Sequence, residues 1–254
     1  MIPFHPLRLL LLSLFAASPA AAAPTLIVHW PLDEAANGVT PDALGQYPLE
    51  LVNLSAGDFV AGRRGNAIEF SNARETLLAR THVADEALPI NQYPDFSIGL
   101  WVKGKGTGQD DLRVFSEGSD SSNTPLFNIG TDASGNSDVV DIFIREGANH
   151  RLSEQAAFDA QWRHVLWIQE GGNATLYIDG VADDNTFEPA SDLDVNITSI
   201  GGIRRMGGDS HWFTGTIDDV AMWEGALDDA MIARLAAGES PSTITGDDPG
   251  NVDP

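Results

Sequence analysis

The chain has 254 residues, with 37 acidic side chains against 14 basic ones and a formal net charge of −23. Such a surface repels nucleic acid and anionic membranes, and suits a salty exterior or divalent cations. Cysteine is absent, so stability outside a cell must come from core size or a bound ion rather than from disulfides.

Residues 1–22 pair one early positive charge, Arg8, with an apolar run and a small-residue stretch ending Ala20-Ala21-Ala22. That order is a secretory signal peptide, and the run is too short to span a bilayer. The mature chain is therefore expected to be secreted, extracellular or periplasmic, with one domain over 24–238 and no membrane insertion.

Strands are expected at 25–31, 49–54, 67–70 and 75–82, with loops at 33–45 and 57–65 rich in Asn, Gly, Pro and Asp. The 85–95 connection holds Pro89 and Pro94, which fit poorly in a central strand. Residues 96–103 alternate Phe96, Ile98, Leu100 and Val102 against Trp101, as a central strand would. Further strands are read at 112–116, 126–130, 139–146, 161–169, 174–179 and 196–203. Gly171, Gly172 and Asn173 make a hairpin turn, and 204–210 is a Gly-rich loop.

The closing strand, 216–223, places Thr216, Asp218, Val220 and Met222 opposite Ile217, Asp219, Ala221 and Trp223. Asp228 then caps a helix whose Met231, Ile232 and Leu235 form one apolar stripe, stopped by Gly238 and Pro241. Residues 239–254 read as a disordered acidic tail or linker. Many short strands and one helix indicate a sandwich or jelly roll.

Four stretches in order resemble the laminin-G-like, concanavalin A-like lectin/glucanase jelly roll. They are His-Trp-Pro-Leu-Asp-Glu at 29–34, Phe-Ser-Ile-Gly-Leu-Trp-Val-Lys at 96–103, Trp-Arg-His-Val at 162–165 running to Leu-Tyr-Ile-Asp-Gly at 176–180, and Gly-Thr-Ile-Asp-Asp-Val at 215–220. The resemblance implies an all-β sandwich of two antiparallel sheets, one concave, often with calcium on the convex side. It also implies that Asp218 on the last long strand is a metal ligand, with Asp33 and Glu34 of the first loop and a carbonyl of the 62–66 turn, such as that of Gly65, as companions. The residues alone leave another reading open. Carboxylates are depleted from strands and costly when buried unpaired, and backbone N–H groups or arginines could equally satisfy Asp218 and Asp219.

No catalytic signature is found. The glucanase branch carries Glu-x-Asp-x-(x)-Glu on one strand; here Asp138, Asp141 and Glu146 stand at odd spacings that split them across faces. The Arg/Glu/Arg, Gln-x-His and Tyr set of the alginate-lyase branch is not intact. Asp132 to Asp138 looks like a calcium loop but lacks its glycine and its closing glutamate, so it reads as a hairpin turn. The histidines show no metal-ligand spacing, and His29 and His164 are read as structural. The expected function is a non-catalytic binding module for extracellular carbohydrate with a structural Ca2+. A protein-adhesion module and a divergent polysaccharide hydrolase or lyase remain as alternatives. Trp212, flanked by His211, Asp209, Arg204 and Arg205, is the expected sugar-stacking group. Trp167 is a further candidate, whereas Trp30, Trp101, Trp162 and Trp223 are assigned to packing.

Overall fold

A computed structural model of the chain describes residues 22–145, 149–191 and 193–244. The expected signal peptide, apart from its final residue, lies outside the described residues, as does the tail from 245. Among the described residues no helix is long and apolar enough to cross a membrane.

Two large antiparallel sheets face each other. The first runs, edge to edge, through Val181–Ala182, Asn173–Ile178, Arg163–Glu170, Phe96–Gly104, the closing strand Gly215–Glu224, Asn66–Phe70 and Phe59–Ala61. The second runs through Arg151–Ala156, Val139–Arg145, Leu126–Thr131, Arg113–Gly118, Ile197–Ile200, Leu77–Thr81, Leu49–Val52 and Val39–Thr40. Phe96, Ile98, Leu100, Val102, Val165, Trp167, Val220 and Met222 of the first pack against Phe115, Phe127, Ile129, Val140, Ile142 and Ile144 of the second. This inter-sheet core replaces the disulfides that the chain lacks.

The closing strand is shared along one edge. Gly215, Thr216 and Ile217 pair with Phe70, Glu69 and Ile68, whereas Val220 to Glu224 pair with the first strand, Thr25–Trp30. Between the two halves the register against Phe96–Gly104 slips, from Asp218 opposite Trp101 to Ala221 opposite Gly99. An extra residue is accommodated there as a β-bulge, with Asp219 at φ 47°. The bulge breaks the alternation expected from sequence. Ile217, Val220 and Met222 face the core, so Asp218 and Asp219 both face outward instead of lying on opposite faces.

The helix Asp229–Ala237 forms as expected. Asp228 Oδ1 accepts a bond from Met231 N (2.8 Å), and Gly238 closes the C-terminus at φ 96°. Its Met231, Ile232 and Leu235 cover Leu166, Ile168, Ala221 and Trp223 on the outer face of the first sheet. Each such side chain contributes about 1.5–3 kcal/mol on burial. The tail expected from 239 is ordered over its described part: Pro241–Thr243 forms a 3-10 turn, and Ile244, 1% exposed, joins the helix in this second cluster. One isolated isoleucine in a polar segment carries no periodic signal. The strand Arg151–Ala156 was also not legible, because at a sheet edge most of its side chains are exposed. Asp183 fixes it by accepting from Glu154 N and Gln155 N (each 2.9 Å).

Candidate functional site

Two regions gather polar side chains that packing alone does not require. The first is the bulge. Asp219 accepts from His29 Nε2 (2.8 Å) and Arg64 Nε (2.8 Å), and His29 Nδ1 lies 2.7 Å from Ser242 Oγ. Burial pushes the Asp219 carboxyl up, but the bonds from His29 and Arg64 outweigh it and hold the group below its usual range. Its charge is matched within the protein.

Asp218 differs. Its Oδ2 accepts from Arg63 N (2.7 Å) and Arg64 N (3.0 Å), but Oδ1 has no partner although the residue is 0% exposed. Burial pushes its carboxyl up to about 7; the backbone bonds offset only part of this, and the charge on Asp219 adds to it. The 62–66 turn is shaped around these oxygens. A Cβ on Gly62 would collide with Asp218 Oδ2 and the Asn66 carbonyl, and one on Gly65 (φ 65°) with Asp33 Oδ1. Asp33 in turn accepts from Asn66 N (2.6 Å). The Gly65 carbonyl accepts from Gly62 N (3.0 Å) and keeps a second lone pair. An all-oxygen donor set with one orphaned buried carboxylate oxygen fits a hard cation.

The second region is the outer face of the second sheet. Along Val139–Arg145, Asp141, Phe143 and Arg145 alternate outward. Gly130 lies between Asp141 and Arg113 in register, and its missing side chain leaves room for the Arg113 stem, whose Cδ would sit 2.7 Å from a Cβ there. Arg113 thereby reaches Asp111 and lies 3.8 Å from Asp141. Asp141 Oδ2 is 2.6 Å from His150 Nδ1, and Asp111 Oδ2 is 3.3 Å from His211 Nε2.

Burial raises the Asp141 carboxyl despite His150 and Arg113. For Asp111 burial also raises, but His211 and Arg113 outweigh it and leave that group lowered. One ligand atom each from Asp111, Asp141 and His150 lies within 4.8 Å of the others. The Arg113 guanidinium beside them already supplies positive charge, so a metal would compete with it.

The segment read as a Gly-rich loop is a hairpin, Ile203–Arg205 with Gly208–Ser210, lying on this face. Gly118 lets it approach, since a Cβ there would lie 2.6 Å from the Arg204 carbonyl. Ile203 packs on Leu126 and Phe143 beneath. Arg204 forms a fork to Asp209 (2.9 and 2.8 Å) and reaches Glu50 (3.1 Å). Trp212 is half-buried beside Gly202, and its indole N–H has no partner within the protein. Beneath the hairpin tip, Asn123, Arg145, Arg205, Gly207, Gly208 and Ser210 line a cavity of about 260 Å³.

Family comparison matches residues 79–233 to the concanavalin A-like lectin/glucanases superfamily. The chain belongs to that superfamily. A comparison with curated protein sequences gives no match. Among solved structures, domain 4 of AbnA, a GH43 extracellular arabinanase from Geobacillus stearothermophilus solved with arabinotriose, aligns at TM-score 0.60 and 18% identity, covering 85% of this chain and 100% of that domain. Trypanosoma rangeli sialidase aligns at 0.62 and 13%, covering 83% of this chain but 32% of the sialidase. The binding domain of Paraclostridial Mosquitocidal Protein 1 aligns at 0.59 and 15%, covering 84% of this chain and 52% of that one. These likenesses show the shared sandwich, a superfamily fold that hydrolases and binding modules both use.

Of the residues expected at a ligand site, Arg204, Asp209, His211 and Trp212 lie together on the hairpin and the segment that follows it. Trp167 does not. It is 0% exposed, in the inter-sheet core between Phe127 (5.6 Å) and Phe187 (5.8 Å), because its neighbours Leu166 and Ile168 take the outward positions. Trp101 and Trp223 are packing residues as expected, but on the outer face of their sheet. Sequence reasoning missed Asp111, Arg113, Phe143, Arg145 and His150. The alternation of 139–145 could have pointed to Phe143 and Arg145; nothing local links His150 to Asp111. The Asp132 loop closes on itself, Asp132 accepting from Ser134 N (2.9 Å) and Ser137 Oγ (2.6 Å), in keeping with a turn.

Proposed function

We propose that this chain is an exported, non-catalytic module that binds extracellular carbohydrate on the outer face of its second sheet. The observation that carries the reading is the strip from Trp212 through His211, Asp111 and His150 to the cavity beneath the hairpin. It offers a half-buried indole beside fixed polar groups. A sugar ring stacks on such an aromatic face while its hydroxyls meet the polar edge. The arabinotriose complex of the arabinanase domain supports this class of ligand. The carboxylates here, Asp111, Asp141 and Asp209, are committed to His150, Arg113, His211 and Arg204, and Asp141 is 0% exposed, so none is placed to protonate a glycosidic oxygen as a catalytic acid must.

The same reading assigns a structural calcium to Asp218, with Asp33 and carbonyls of the 62–66 turn, including Gly65 and Asn66, as its companions. When bound, the ion neutralises the Asp218 charge and ties the start of the domain to its closing strand. A glycan array read with wild type and Trp212→Ala tests the binding site. Selective binding by wild type that falls at least tenfold in the variant is expected. A blank array with binding to matrix proteins favours adhesion, and release of reducing ends from polysaccharide overturns the non-catalytic reading.

A further inference from the structure

The chain has few cations; eight of the thirteen described face a carboxylate, and Lys103 and Lys105 are exposed to solvent. Arg64, Arg74, Arg80, Arg113, Arg151, Arg163, Arg204 and Arg234 each face a carboxylate. Arg63 lies 4.6 Å over the Trp101 ring and reaches the Ala237 carbonyl. Arg145 and Arg205 differ. Neither has a carboxylate partner among the described residues, and both line the cavity of about 260 Å³ under the hairpin.

Arg145 is held there by the Asn123 carbonyl (3.3 Å) and the Phe143 ring (5.4 Å). Arg205 is set by its hairpin, whose strand passes over Gly118. Burial and the charge of Arg145 both disfavour the cationic form of Arg205, and Asp111 offsets only part of this. Asp111, the acid that acts on Arg205, is engaged by Arg113 and His211.

Three larger clefts have the opposite character. One presents Asp95, Glu170 and Glu224, the next Glu170, Asp228 and Asp229, and the third Asp33 and Glu34.

We propose that the Arg145–Arg205 cavity selects a negatively charged sugar residue, one bearing a carboxylate or a sulfate ester. The inference rests on the carbohydrate reading above and names the ligand class for that site. Guanidinium groups suit both anions, because their planar forks donate paired bonds. Asn123 and Ser210 add neutral polar groups for ring hydroxyls, since Asn123 Oδ1 is taken by Gly207 N (2.6 Å) and its NH2 remains a donor.

The net charge of −23 shapes the choice of polymer. A densely charged polyanion meets repulsion from the rest of the surface, whereas an acidic residue in a mostly neutral glycan meets it little. At physiological salt the Debye length is about 8 Å, so the contact inside the cavity governs affinity.

Titration calorimetry against oligosaccharides of one length, in neutral, uronate-containing and sulfated forms, tests the proposal. Wild type is expected to bind at least one anionic form ten or more times tighter than the neutral form. Arg145→Ala and Arg205→Ala should each remove that preference, and Arg145→Lys and Arg205→Lys should restore only part of it. Arg74→Ala removes a positive charge that pairs with Asp58, away from this face, and should leave the preference unchanged. Equal affinity for neutral and anionic forms, unaffected by either alanine variant, overturns the inference and leaves carbohydrate binding standing. If no oligosaccharide of any charge binds, the carbohydrate reading falls first.

Discussion

The two sheets share a core but differ on their outer faces. The first carries Leu166, Ile168, Ala221 and Trp223 outward, and the helix and Ile244 seal them. The second carries Asn128, Gly130, Asp141, Phe143 and Arg145 outward, and only a short hairpin rests on it. Beneath the helix the outward positions are apolar, although Asp218 and Asp219 also point outward along the closing strand. The open face alternates small residues with charged ones, which leaves room for Arg113 and the hairpin to lie flat. The first arrangement stabilises the domain, and the second presents chemistry.

The largest effect is expected from breaking the sealed face. Ile232→Ala removes a fully covered side chain and should cost about 2–5 kcal/mol in urea unfolding, while glycan affinity per folded molecule stays unchanged. A comparable loss of binding would mean that the helix face takes part in recognition. Next comes the metal. Calcium at a hundred times its Kd should add about 2.7 kcal/mol, read as a melting shift against chelator. Asp218→Ala should abolish that shift, and an unaltered response would remove Asp218 as a ligand.

The polar character of the second sheet extends inward at Glu117, which accepts from Ile90 N (3.0 Å) and Asn91 N (3.3 Å) inside the core. Burial, only partly offset by those bonds, pushes its carboxyl up to about 8 from an ordinary 4.5. The folded chain therefore keeps a proton that the unfolded chain releases near pH 4.5. The contribution of this proton is complete below pH 4.5 and is lost as pH rises to about 8. Urea midpoints across that range should fall more steeply for wild type than for Glu117→Gln. Parallel profiles would show that Glu117 is ionised in the fold. The smallest stability change belongs to Trp212→Ala on the open face, about 1 kcal/mol or less, against a large loss of binding.

How much of this the sequence discloses depends on how local each feature is. Strand alternation at 96–103, the Asp228 cap and the Met231/Ile232/Leu235 stripe are set by neighbours a few residues apart, and all are legible. Arg204, Asp209, His211 and Trp212 are legible as a group because one hairpin and the two residues after it carry them. The bulge at Asp219 is not, because it arises where the closing strand passes from one partner strand to another. Asp111, Arg113, Asp141, Arg145 and His150 come from separate segments, and they meet only through the register that sets Asp141 and Arg113 on either side of Gly130. Trp167 was misplaced because periodicity gives two faces without saying which one is buried.

The division between a sealed face and an open face is tested most directly by backbone hydrogen exchange with and without a bound glycan. Slowed exchange is expected at 203–212 and 141–145, with 229–244 unchanged. Protection confined to the helix, or to the acidic clefts beside Glu170, would contradict the assignment of the second sheet as the binding face.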